Sequence, residues 1–229
     1  MTTESATRGS LLDRTAVELL ERFAAGKLTP GAGSAAALMG ALAGSLAQAA
    51  ARYAGKAGKQ REAAAPFRER AEVLLGEARE RSRQVGQAVD EDAAAFDRYW
   101  QLLGRLRGAS EAERADLQAP AAEALRQATD IPIEIARHCA ALAEIGLELY
   151  ERGHKNARGE AATAVFSAVA NGEAAAHTAR LNLQAAGGAP WSDSRRAEIR
   201  GLRSQLLGVR RRIEAQIDAE EEEEEEEGR

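Results

Sequence analysis

Near the start of the chain, Leu12, Ala16, Leu19, Leu20 and Phe23 recur at helical spacing, which predicts a helix over 10–26 with Gly26 as its stop. A short loop containing Pro30-Gly31 follows, and Ser34 is a suitable N-cap for a second helix over 35–53. That second helix carries small residues on nearly every face, Gly40 and Gly44 among them. A helix apolar all round is normally buried, so it belongs at the centre of a bundle. Beyond a basic segment at 55–59, a third helix spans 66–106, with alternating charges on its outer face and a bend near Gly86. A fourth helix covers 111–129, Ile131-Pro132 breaks it, and Pro132 opens a fifth that reaches 152. After a polar loop at 153–159, a second alanine-rich helix covers 160–183. Gly187-Gly188-Ala189-Pro190 ends it, and Ser192 caps a last helix to 217.

Composition supports the same class. Alanine makes up roughly a quarter of the 229 residues, far above ordinary usage, and it is the best helix former. Aromatic residues are only 4 %, so a β-sandwich is excluded and an all-α bundle of six to seven helices is expected, its two small-residue helices central and in contact. The formal charge of −5 is set by eight consecutive glutamates at 220–227, and the remainder is nearly neutral. Residues 1–219 are therefore read as one all-α domain and 220–229 as a disordered acidic tail. No basic patch with interleaved aromatics points to nucleic acid. The most apolar stretch, 34–51, is too rich in alanine and glycine for a membrane span. One cysteine, Cys139, in apolar surroundings reads as an inert core thiol and suggests a cytoplasmic home.

Candidate chemistry is sparse. His138, His154 and His177 have no partners at ligand spacing, so no metal site is expected. The glycine-rich loop Pro30-Gly31-Ala32-Gly33-Ser34 either offers backbone N–H groups to an anion or is a tight turn that lets the next helix enter the core. Both alanine-rich helices adjoin unusual polar segments, an arrangement that forms ligand clefts at bundle ends.

The run Leu28-Thr29-Pro30-Gly31-Ala32-Gly33-Ser34-Ala35-Ala36-Ala37 resembles the Pro-Gly-Gly-Gly-Ser-Ala-Ala-Ala signature of the cyclodeaminase/cyclohydrolase family, which includes the C-terminal domain of formiminotransferase-cyclodeaminase and stand-alone methenyltetrahydrofolate cyclohydrolases. Further matches follow in order. Lys56 falls at the family's Gly-Lys-Lys, and Asp90-Glu91-Asp92-Ala93-Ala94-Ala95-Phe96 at its Asp-x-Asp-x-x-x-Phe. The segment 153–160 stands at its Gly-Asn-Pro-Asn-x-x-Ser-Asp, and Asn182-Leu183 at a terminal Asn-Leu. Ala32 replaces a glycine, His154-Lys155 replace Asn-Pro, and Gly159-Glu160 replace Ser-Asp.

The resemblance implies a folate one-carbon enzyme that hydrolyses 5,10-methenyltetrahydrofolate or cyclodeaminates 5-formiminotetrahydrofolate. It implies no tightly bound cofactor, a tetrahydrofolate derivative as substrate, and a homodimer. Asp92 and Glu160 are the implied acid/base pair, with Lys56 holding a folate carboxylate or polarising the leaving group. Thr29, Pro30, Gly31, Gly33, Ser34, Gly153, His154, Asn156 and Asn182 complete the implied substrate-binding set. The departures keep two other readings open: a relative acting on a non-folate imine or amidine, and a non-catalytic binding or structural bundle.

Overall fold

The computed structural model describes residues 9–57 and 65–227. It is an all-α bundle: among the described residues there are six α-helices and no strand. They are α1 (Ala16–Ala24), α2 (Ala32–Ala57), α3 (Ala65–Gly108), α4 (Glu111–Arg152), α5 (Arg158–Ala185) and α6 (Ser192–Glu227).

Small residues set the packing at the centre. A Cβ on Gly40 would lie 2.8 Å from Cys139 Sγ and 3.1 Å from Val85, and one on Gly44 would lie 2.7 Å from Ser82 Cβ and 3.2 Å from Leu142. The α2 backbone therefore lies directly on α3 and α4, parallel to α4 and antiparallel to α3. Gly172 meets Cys139 and Leu206, and Gly146 meets Val165, so α5 runs antiparallel to α4 and hence to α2. α2 and α5 pack on one another, as their small-residue faces suggest. Two buried clusters fill the interior, one around Leu74, Leu142, Val165 and Leu206, the other around Val85, Ile135, Ala175 and Leu183. The Cys139 thiol is buried, and burial pushes its pKa up to about 12, which leaves it unreactive near neutrality.

Four sequence expectations are corrected. First, α2 is not enclosed on all sides: Met39, Leu42 and Tyr53 form an exposed stripe, with Leu42 61 % exposed. The stretch Ala32–Gly55 is apolar and long enough to cross a membrane by composition, yet half of it is buried in the bundle. Second, the first helix is split. Ser10 caps a 3-10 turn at Leu11–Asp13, the chain extends at Arg14 and Thr15, and Thr15 with Glu18 forms a capping box that starts α1. No α1 residue is buried, and Leu20 is 71 % exposed.

Third, Pro132 does not end a helix. α4 is continuous through Pro120 and Pro132. Proline leaves the carbonyl four residues earlier without its helical donor. For Pro132 that carbonyl is Ala128 O, and the Asn182 amide nitrogen of α5 donates to it at 2.7 Å. A neighbouring side chain thus supplies the donor that the helix lacks. Fourth, the acidic run is helical: α6 continues to Glu227. Its first residue, Glu220, is tied to α4 and α5 by Tyr150 and Arg158.

Candidate functional site

At the N-terminal end of α2 the glycine-rich loop lies against α3, where Asp92 and Asp97 receive it and Asp90 holds the preceding turn at Ser10. Asp92 is 8 % exposed and its Oδ2 accepts from Ser34 Oγ at 2.9 Å. A Cβ on Gly33 would lie 2.6 Å from Asp92 Cγ, so only glycine lets the backbone come this close to the carboxylate. Asp97 accepts from Thr29 Oγ1 at 2.7 Å. Asp90 accepts from Ser10 Oγ at 2.5 Å and from the Leu11 N–H at 2.9 Å. The glycine-rich motif is thus both tight turn and carboxylate contact.

Burial pushes the Asp92 pKa up, and the Ser34 hydroxyl and backbone N–H only partly offset this. A buried carboxylate that holds its proton more readily than a surface aspartate suits proton transfer near neutrality. Asp97 and the anchoring role of Asp90 were missed by sequence reasoning. Their signal was a spacing of seven on one helix, which places both on one face.

A hollow of about 380 Å³ opens beside this loop, lined by Ser10, Arg22, Thr29, Pro30, Asp90 and Asp97. It shares Ser10 and Asp90 with a groove of about 830 Å³ between α2 and α3, floored by Leu38, Ala41 and Leu42 and edged by Arg79 and Arg83. Together they offer apolar area for a flat ring and charged groups at the rim.

The other expected residues lie elsewhere. Gly153, His154, Asn156 and Glu160 sit where α4 turns into α5. There His154 Nδ1 accepts from the Asn156 N–H at 3.1 Å, capping the 3-10 turn Lys155–Ala157. Glu160 is half-buried in the first turn of α5. Ala157 and Ala161 share a buried cluster with Ala47, Ala50 and Ala51, near the C-terminal end of α2. Lys56 belongs to the last turn of α2 and its side chain lies outside the described residues. Asn182 is at the Asp92 end, with its amide nitrogen engaged by Ala128 O.

Within one chain, then, Asp92 and Glu160 stand at opposite ends of α2. Some seventeen residues of helix separate Ser34 from Ala51, which is about 25 Å at 1.5 Å per residue. The pair does not share a cleft in a single protomer.

Known proteins match this chain in family, in sequence and in fold. Residues 15–200 match the family described as formiminotransferase-cyclodeaminase. A methenyltetrahydrofolate cyclohydrolase of Methylorubrum extorquens is 27 % identical over 194 residues, covering 85 % of this chain and 91 % of that protein. The crystal structure of formiminotetrahydrofolate cyclodeaminase from Thermotoga maritima superposes with a TM-score of 0.79, at 19 % identity over 92 % of this chain and 98 % of that one, a likeness of fold.

Proposed function

The chain belongs to the formiminotransferase-cyclodeaminase family, and from that premise we propose that it is a folate one-carbon enzyme, a cytoplasmic homodimer that hydrolyses 5,10-methenyltetrahydrofolate. The observation that carries this reading is the buried Asp92, held at the glycine-rich loop by Ser34 and biased toward keeping its proton. The likeness to a methenyltetrahydrofolate cyclohydrolase along 85 % of the chain supports the choice of reaction.

In this reading a carboxylate accepts a proton from water as the water oxygen bonds to the electrophilic amidinium carbon. The positive charge is cancelled and a tetrahedral carbinolamine results. One ring nitrogen then leaves with its bonding electrons and takes the proton back from the acid, while the carbinol O–H releases its proton to water and its oxygen becomes the C=O of a formyl group on the other nitrogen. Asp92 is the acid/base. Ser34 orients it, and Asp92 lines neither hollow beside the loop, so the reacting carbon is placed against the Gly33–Asp92 contact itself.

Glu160, Asn156 and Lys56 enter from a second copy. The exposed α2 stripe of Met39, Leu42 and Tyr53 is apolar. A twofold axis perpendicular to α2 pairs each helix antiparallel with its mate. The C-terminal end of α2 in one copy, with the adjoining 153–160 segment, then faces the Asp92 end of the other.

The test is complementation. Asp92→Asn and Glu160→Gln should each lose about a hundredfold to ten-thousandfold in turnover as homodimers. Refolded as an equal mixture, half the dimers are mixed and each has one intact site, so about a quarter of wild-type activity should return. No recovery in verified mixed dimers would refute the shared site. A wild type that leaves the near-ultraviolet absorbance of methenyltetrahydrofolate unchanged would refute the reaction.

A further inference from the structure

The glutamates at 220–227 look interchangeable in sequence, but Glu220 bonds to two other helices. Glu220 Oε2 accepts from Tyr150 Oη at 3.0 Å and from Arg158 Nη1 at 2.7 Å, and the Arg158 guanidinium lies 5.2 Å from the centre of the Tyr150 ring. Tyr150 is in the last turn of α4 and Arg158 is the first residue of α5. Between them runs the segment that holds Gly153, His154 and Asn156. One oxygen of α6 therefore pins both ends of that segment.

Charge explains why an acid is needed there. Arg158 places a cation at the N-terminal, positive end of the α5 dipole, an unfavourable position without an anion beside it. Glu220 supplies that anion. The ion pair is only about one-third exposed on each side, so it is less screened than a surface pair.

We propose that Glu220 is a positioning residue: through Arg158 and Tyr150 it holds the 153–160 segment in its active conformation. The inference rests on the reading that this segment serves the catalytic site. It replaces the expectation that 220–229 is a uniform disordered tail.

The experiment compares Glu220→Ala with Glu223→Ala, which removes an equal charge from an exposed position of the same helix. Two readouts are taken: amide hydrogen exchange at 153–157, and steady-state turnover of methenyltetrahydrofolate. Glu220→Ala should speed exchange at 153–157 and lower kcat by up to about a hundredfold, the scale of a misplaced catalytic group. KM should change little, and Glu223→Ala should match wild type in both readouts. Glu220→Gln keeps an acceptor oxygen without the charge and should fall between. Arg158→Ala should lower kcat as Glu220→Ala does, and the double variant should be no worse than either single one. Equal exchange in Glu220→Ala and Glu223→Ala would overturn the latch. Faster exchange with unchanged kcat, or additive losses in the double variant, would overturn the positioning role. A wild type without turnover would refute the folate reading alone, and the latch would then stand or fall on exchange.

Discussion

Asn182→Ala should destabilise the bundle for a reason that lies 54 positions earlier in the chain. Pro132 cannot donate to Ala128 O, and Asn182 Nδ2 does so instead at 2.7 Å. Ala128 is buried, so water does not readily take over when the amide is removed. A buried acceptor left without a partner costs about 1–3 kcal/mol. For a chain of this size that corresponds to a fall in Tm of roughly 3–10 °C. Pro132→Ala returns an N–H to α4 at the position that serves Ala128 O. In that background Asn182→Ala should cost less than about 0.5 kcal/mol, giving a coupling of about 1–2 kcal/mol across the four-member cycle. Urea unfolding at one fixed protein concentration measures all four variants. Equal losses with proline and with alanine at 132 would show that Asn182 serves something other than this carbonyl.

Two further outcomes follow from the packing and the site. Gly40→Ala should lower stability by about 1–3 kcal/mol, because its Cβ would crowd Cys139 Sγ at 2.8 Å and Val85 at 3.1 Å; an unchanged unfolding midpoint would contradict the close approach of α2 to α4. Asp92→Asn should remove turnover without lowering Tm at neutral pH. The folded pKa of Asp92 is raised above its unfolded value, so the native state binds more protons through that window. The Asp92 contribution to stability therefore declines as pH rises from the unfolded pKa through the folded one, and Asp92→Asn should flatten that decline in a pH series of Tm values. A steeper decline in Asp92→Asn would reverse the sign argued here.

Helical spacing, alanine content and the absence of aromatic bulk were enough to establish an all-α bundle and to mark the two small-residue helices. The motif Pro30-Gly31-Ala32-Gly33-Ser34 was legible together with Asp92, since both match a family pattern. That Gly33 and Asp92 touch was not legible, because 58 residues of helix and connection separate Ser34 from Asp92 and only the antiparallel pairing of α2 with α3 brings them together. Proline was read by its local rule as a helix break. The rule failed at Pro132 because Asn182, from another helix, satisfies the carbonyl that proline orphans. The acidic run was read by its self-repulsion, a sum over like charges that cannot reveal that Glu220 lands beside Arg158 and Tyr150. Asp92 and Glu160 were grouped because both match one motif set, but antiparallel α2 and α5 carry them to opposite ends of the bundle. Local propensity and periodicity depend on neighbours within a few residues, and those the chain determined by itself. Which distant groups share an electric field, a hydrogen bond or a cleft depends on helix direction and packing, and that only the tertiary structure decided.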